Sequence, residues 1–354
     1  MGNKRSKKDR KKRKIETKKN LSIEKQLKFE QNQEDIELKM LLLGTGDSGK
    51  STFVKQMKIC YSGGFSTSEK NLYTCVIQIN CLNYTKELLR SMNVLDLNLS
   101  KEKAEDKKIF FKLIQASPRK ISPKIADSIK SLWEDPSMKE CFKHRNKFQL
   151  PASTGYFLDK IHQIADKNYK PNKTDILNCR IPTTGVKELS IEIQGYTWKL
   201  VDVGGQRSER RKWVHHFDDV DLLIFVIALD GYSQKLFENN NINRMHESLE
   251  VFDQITNNDY FKKKDLVILF NKIDIFEQKI AKVPIKNTFP EYKGQDNYEE
   301  GKVFFKQKFL NSIKKSNKRS ISTYFTCGTE TNTMKSVFEN MRKTLIQKYI
   351  NSIF

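Results

Sequence analysis

The sequence predicts an α/β fold, a mostly parallel sheet with helices on both faces, interrupted by an inserted all-helical domain. Three observations carry this. The apolar run Met40 to Leu43 ends in a glycine-rich turn that opens onto a helix-compatible segment, Thr52 to Ile59. Strand-like runs alternate with helical segments through the second half of the chain. Between them, Phe65 to Tyr169 shows helical spacing and is far too long for a plain loop.

The totals bound the partners. At 354 residues the chain can build one large domain or two ordinary ones. Its 65 Lys and Arg against 43 Asp and Glu leave a formal charge of +22, which calls for an anionic partner: membrane surface, nucleic acid or phosphate-rich ligand. Basic residues are densest at the N-terminus, where Lys4, Arg5, Lys7, Lys8, Arg10, Lys11, Lys12, Arg13 and Lys14 are relieved only by Asp9. Met1-Gly2-Asn3-Lys4-Arg5-Ser6 matches the pattern for myristate on Gly2. One myristoyl chain binds membranes only marginally, and a basic block is a recognised second signal on anionic lipid. Competing readings are a nuclear-localisation or nucleic-acid tail, or a solvated end. No aromatic residue interleaves with the lysines, so base stacking has no support. A helix with a sparse apolar stripe, Ile23, Leu27 and Phe29, is expected from Ile15 to Ile36. Six cysteines show neither metal spacing nor a disulfide ladder, and no secretory or membrane-spanning run is visible. Free thiols in a reducing compartment follow, in the cytosol or on the cytosolic side of a membrane.

The inserted segment carries Tyr73, Ile77, Cys81, Tyr84 and Leu88, then Ile125, Ile129, Leu132 and Trp133, then Phe157, Ile161 and Ile164 at helical spacing. Pro118, Pro123, Pro136 and Pro151 mark breaks between helices, and the charged stretch from Ser100 to Lys124 is expected to include a mobile connection. From Leu189 the period becomes two: Leu189, Ile191 and Ile193 alternate with polar residues, Gly195 turns and Tyr196 to Val201 returns, an antiparallel hairpin. Strands are expected at Leu222 to Ala228, Leu266 to Phe270 and Ile321 to Phe325. Helices are expected at Ile242 to Asn257, Glu299 to Ile313 and Met334 to Ile350.

Gly44-Thr45-Gly46-Asp47-Ser48-Gly49-Lys50-Ser51 is the phosphate-binding pattern G-x-x-x-x-G-K-[ST] between strand and helix, followed by Thr52. Glycines let backbone N–H groups point inward, and the helix start adds unpaired N–H groups and a positive dipole end. In that setting Lys50 meets the β- and γ-phosphates and the Ser51 hydroxyl ligates Mg²⁺. Asp202-Val-Gly-Gly205-Gln206 ends a strand with an acid able to hold Mg²⁺ through water, an N–H at Gly205 for a γ-phosphate, and a glutamine for an attacking water. Asn271-Lys272-Ile-Asp274 offers a carboxylate to N1–H and the 2-amino group of guanine, a donor pair that adenine lacks. After the last strand, Thr326-Cys327-Gly328-Thr329 places a backbone N–H for guanine O6. Each of the last three motifs, standing alone, is also an ordinary strand-end turn.

Together these stretches resemble the alpha subunit of heterotrimeric G proteins along essentially the whole chain. Asp202 to Trp213 is similar to that family's second switch, Asp175 to Gly185 to its arginine-bearing interdomain strand and first switch. Asn243-Arg-Met-His-Glu-Ser248, Leu132-Trp133 and Cys141-Phe142 are equally typical. The resemblance implies a P-loop GTPase domain, 36–64 with 175–354 and Ras-like, an inserted helical domain at 65–174, and a basic tail and helix at 1–35. It implies Mg²⁺ on Ser51 and Thr183 with Asp202 behind it, Arg180 as a built-in arginine finger, Gln206 positioning water, and Ser153 and Leu177 among the nucleotide contacts. Thr183 to Val186 and Val203 to Trp213 would be ordered by the γ-phosphate. Implied partners are a beta-gamma dimer, a membrane receptor, an effector, a GTPase-activating regulator and the anionic cytoplasmic face of the plasma membrane, with a cytosolic pool. The alternative is a basic, nucleic-acid-associated P-loop GTPase, which the position of the charge beside Met1-Gly2 disfavours. A scaffold without hydrolysis is opposed by Arg180 and Gln206 together.

This chain departs from the family pattern at several positions. Asp47 replaces the usual glutamate, so an ion pair to Arg180 would need a closer approach. Gly328 replaces an alanine, which should loosen that loop. Ala152 precedes Ser153 where many relatives have an aspartate, so a polar clasp across the cleft is missing and easy GDP escape is expected. Asn3 stands where many relatives have a palmitoylated cysteine, and Asn351 where some have a toxin-modified one.

Overall fold

We describe residues 36–116, 119–148, 150–236, 238–239, 241–314 and 319–353 of a computed structural model. Gly2, the basic block and the expected helix up to residue 35 lie outside them, as does Phe354.

A sheet of six strands has the order β2-β3-β1-β4-β5-β6. Its strands are β1 (Ile36–Leu43), β2 (Val186–Ile193), β3 (Tyr196–Val203), β4 (Leu222–Ala228), β5 (Asp265–Asn271) and β6 (Ile321–Thr326). All neighbours run parallel except the β2–β3 hairpin, so the antiparallel strand lies at the edge. All seven residues of β4 are buried, as expected of a central strand covered on both faces. In β1 the two-residue period divides the cores. Leu41 and Leu43 join Phe225, Phe252 and Phe270 on one face; Met40 and Leu42 join Phe53, Ile224 and Phe338 on the other. Those faces are covered by α1 (Lys50–Tyr61) and α13 (Thr331–Ile353) on one side, and by α10 (Arg244–Thr256) and α12 (Tyr298–Ser312) on the other.

A separate apolar cluster belongs to helices between α1 and β2. They are α2 (Thr67–Val94), α3 (Ala104–Ala116), α4 (Pro123–Glu134), α5 (Pro136–Lys143), α6 (Ser153–Asp159) and α7 (Ile161–Ala165); α8 (Lys173–Asn178) then leads back towards the sheet. Ser66 and Glu69 form a capping box that starts α2. Pro123 and Pro136 occupy the first turns of α4 and α5, where a missing N–H costs nothing. Within the stretch from Ser100 to Lys124, expected to include a mobile connection, residues 101–116 are helical and residues 117–118 lie outside the described residues. Residues Lys101–Lys103 form a 3₁₀ turn that runs into α3, where Phe110 and Ile114, one turn apart, are buried while the charges face outward. Ser100 is tied to Asp135 through both N–H and hydroxyl, at 3.0 and 2.8 Å.

Parallel pairing brings the chemistry-bearing turns to one end of the sheet. Leu42 stands opposite Asp202, Ala228 opposite Asn271, and Asn271 opposite Thr326. The crevice beyond the carboxyl ends of parallel strands is where open α/β sheets hold their ligands.

Candidate functional site

The turn after β1 adopts left-handed backbone at Gly44, Asp47 and Gly49, with φ of 139°, 60° and 110°. Gly49 has no alternative, because a Cβ there would lie 2.1 Å from Asn271 Nδ2. Asn271 is itself pinned: Nδ2 donates to Ser48 O at 2.9 Å and Oδ1 accepts from Thr326 Oγ1 at 3.2 Å. The Asn-Lys-x-Asp turn thus braces the phosphate-type loop from behind. Lys50 folds back over that loop, donating to Gly44 O at 2.8 Å and Thr45 O at 3.0 Å. Burial pushes its ammonium down to about 8 although Asp202 pulls the other way. Gly205 closes over this arrangement; a Cβ there would come within 2.4 Å of Lys50 Nζ and 2.5 Å of Gly44 O.

Three oxygen-bearing side chains converge beside Lys50. Ser51 Oγ lies 2.6 Å from Thr183 Oγ1 and donates to Asp202 Oδ2 at 2.6 Å. Asp202 Oδ1 is buried without a hydrogen-bond partner among the described residues, and burial raises the carboxyl above its ordinary pKa. Hard oxygen donors with an orphaned carboxylate oxygen are the donor set Mg²⁺ prefers.

A cavity of about 410 Å³ runs between the strand-end loops and the helices of the inserted segment. Every site residue expected from the sequence within the described residues lines it, except Gly44, Thr45 and Asp202, which stand just behind. Gln206 packs against the loop, its Cγ 3.4 Å from where a Gly46 Cβ would sit. Asp274 is exposed in the first turn of α11 (Ile273–Ile280), following the left-handed Lys272. Gly328 O accepts from Gln56 Nε2 at 2.9 Å. A methyl on Gly328 would meet Asn271 Oδ1 and Thr52 Cγ2 at 3.3 Å, a tight fit.

One expectation is revised. The Asp47 carboxylate pairs with Arg244 at 3.3 Å and with Lys272 at 3.1 Å, not with Arg180. Burial opposes its ionisation, but the fields of Lys272, Arg180 and Arg244 outweigh that and hold it well below the usual carboxylate range. The Lys272 ammonium, for which no ion-pair partner was expected, also reaches Asp230 at 3.6 Å. Sequence reasoning had assigned no role to Arg244, Asp230, Lys279, Arg145 or Lys55, all of which line the cavity. Asp230, an acid just past β4, was a strand-end signal; the others carry no local pattern.

The segment after Gln206 is fastened from outside the cleft. Arg207 and Arg210, in a short helix α9 (Arg207–Arg210), both reach the buried Glu247 of α10, at 2.8 and 2.6 Å, and Trp213 Nε1 donates to Gly204 O at 2.7 Å. Trp213 is buried and serves packing.

The model of the G-protein alpha subunit family matches residues 17–345. The chain belongs to that family. It is 37% identical over 335 residues to the guanine nucleotide-binding protein alpha-7 subunit of Caenorhabditis elegans, covering 94% of this chain and 95% of that one. It is 40% identical over 333 residues to the alpha-17 subunit of the same organism, with 93% and 94% covered. The alpha-1 subunit of Neurospora crassa is 38% identical over 331 residues, with 93% and 94% covered. As a heterotrimeric G protein alpha subunit the chain binds guanine nucleotide and serves signal transduction; the nucleic-acid-associated alternative is not favoured. Among the described residues no helix is long and apolar enough to cross a membrane.

Proposed function

We propose that this alpha subunit is a GTP-hydrolysing switch whose cleft binds guanine nucleotide between a Ras-like domain, 36–64 with 175–354, and a helical domain, 65–174. The observation that carries it is the convergence of Ser51, Thr183 and Asp202 beside Lys50, in one cavity with Arg180 and Gln206. Residues 44–52 would cradle the phosphates, and an anion there would relieve the desolvated Lys50 ammonium. Ser51 and Thr183 would hold Mg²⁺, with Asp202 supporting it through water; when bound, the ion neutralises charge on the phosphate oxygens. Gln206 would orient the attacking water, Arg180 would offset charge developing on the transferred phosphoryl group, and the Gly205 N–H would meet the γ-phosphate. Asp274 would accept from guanine, Gly328 would face its O6, and Asn271, Lys272, Ser153 and Leu177 would complete the contacts.

The Gly185 N–H donates to Glu209 at 2.7 Å, linking the two segments that a γ-phosphate would order. Release of that order on hydrolysis would change the surface offered to a beta-gamma dimer, a receptor, an effector or a GTPase-activating regulator. Myristate on Gly2 with the basic block would hold the chain to the cytoplasmic face of the plasma membrane. Single-turnover GTP hydrolysis by wild type and Gln206→Leu is the test. The variant should bind GTPγS normally and hydrolyse at least about 100-fold more slowly, as for loss of a positioning group in the transition state. Equal rates would defeat the mechanism.

A further inference from the structure

The two peptide groups that flank the Arg180 Cα are each held by a side chain from a different helix. Lys55 Nζ, in α1, donates to Cys179 O at 2.8 Å and to Ile176 O at 2.9 Å. Asn80 Nδ2, in α2, donates to Arg180 O at 2.9 Å. Ile176 O, which also accepts from the Cys179 N–H at 3.2 Å, and Cys179 O lie at the carboxyl end of α8, where the helix dipole's negative end favours a cation. The Lys55 ammonium also sits 5.2 Å from the centre of the Tyr73 ring. Burial pushes it down to about 8, the mark of an ammonium stripped of water. An apolar side chain would fill this place at less cost if packing were all that was required. What an apolar side chain cannot do is donate to the peptide that carries Arg180.

We infer that Lys55 is a positioning residue for Arg180: carried on the helix that begins at the phosphate loop, it fixes the peptide preceding Arg180 and so aims the guanidinium at the phosphoryl group held by that same loop. Asn80 fixes the peptide that follows. Loop and arginine then move as one body, leaving Arg180 only its own side-chain rotations. The inference rests on the GTPase reading above.

The test is single-turnover GTP hydrolysis by the full chain, with GTPγS affinity and thermal midpoint measured in parallel. Wild type, Lys55→Met, Lys55→Arg, Asn80→Ala, Arg180→Ala and the double variant Lys55→Met/Arg180→Ala are compared. Lys55→Met should hydrolyse about 10-fold to about 100-fold more slowly, the range for a catalytic group displaced by an ångström or less. GTPγS affinity should stay close to wild type, and Lys55→Arg should recover part of the rate. In the Arg180→Ala background the same change should cost less than about 2-fold, because a residue that acts through Arg180 has nothing left to aim. Asn80→Ala should show a smaller loss of the same kind, and it carries the test if Lys55→Met does not fold. A wild-type rate in Lys55→Met, losses that multiply in the double variant, or a rate loss matched by equal losses of affinity and stability would each overturn the inference. A wild type that binds GTPγS but does not hydrolyse GTP brings down the GTPase reading itself, and this inference with it.

Discussion

The two walls of the cleft are built on different principles. The sheet-side wall, formed by the turns after β1, β3, β5 and β6, is backbone geometry under steric compulsion. Gly49 and Gly205 leave no room for a Cβ, Asn271 ties two turns together, and Lys50 is buried over loop carbonyls. The wall formed by the inserted segment and by the stretch from Asp175 to Thr183 that leads back to β2 is looser in kind. Ala152 offers the cleft no polar group, and the local network of Asp175 with Tyr156 and Lys160, each at 2.6 Å, serves its own helices. The walls meet polar group to polar group at few points, chiefly Ser51 with Thr183 and Lys55 with the carbonyls before Arg180. On the proposed reading, one wall would hold a ligand by shape fixed in advance, and the other would have to be brought up to it. On that reading, a hydrolytic arginine on the second wall would depend on a strap to the first.

The largest way to break this contrast is Arg180→Ala. It should lower single-turnover hydrolysis by about 10³-fold or more, the magnitude known for arginine fingers in phosphoryl transfer, G protein alpha subunits included. Nucleotide affinity should change little. Next, Gly49→Ala strikes the preformed wall: with φ at 110° and Asn271 at 2.1 Å the loop must deform. We expect roughly 1–3 kcal/mol of strain and loss of measurable GDP binding by calorimetry. Retained affinity would show that the sheet-side wall is adaptable after all.

A smaller effect should follow from supplying the second wall with the group it lacks. Lys272 and Lys279 face the cavity that Ala152 lines, so Ala152→Asp should slow GDP release by about 2-fold to 5-fold, in keeping with one partly exposed ion pair of up to about 1 kcal/mol. Unchanged dissociation of a fluorescent GDP analogue would remove Ala152 as the cause of fast release. The smallest effect is kinetic labelling. Burial pushes the Cys179 thiol up to about 11, so at pH 8 about one molecule in a thousand presents a thiolate, whereas Cys75 is exposed. Cys75 should alkylate first by mass spectrometry. Cys179 labelling should rise with pH through that range, and rise further without nucleotide if the second wall opens. Equal labelling of both sites at pH 8 would contradict the buried setting of the Arg180 segment.

Much of the sheet-side wall was legible in advance because its determinants are local. A glycine-rich turn between an apolar strand and a helix, an acid at a strand end and an Asn-Lys-x-Asp turn each announce their geometry within a few residues. The β2–β3 hairpin and the helical spacing of the insert were readable for the same reason, since periods of two and 3.6 are properties of contiguous chain. The helix within Ser100 to Lys124 was harder to read because charge masks Phe110 and Ile114, two buried positions among many exposed ones. Pairings between distant residues were not readable. Asp47 lies 197 positions from Arg244 and 225 from Lys272, and no local rule selects these partners over Arg180.

The sequence by itself determined the class of fold, the glycine-rich loop after β1 and the Asn-Lys-x-Asp turn after β5, because strand, turn and helix signals are set by neighbours along the chain. Only the tertiary structure decided where the charges of the cleft are spent: Asp47 on Arg244 and Lys272, Glu247 on Arg207 and Arg210, and Lys55 on the peptide before Arg180. Electrostatic and hydrogen-bond energies depend on distance and burial, and both are settled when the parallel strands bring their far-separated ends together.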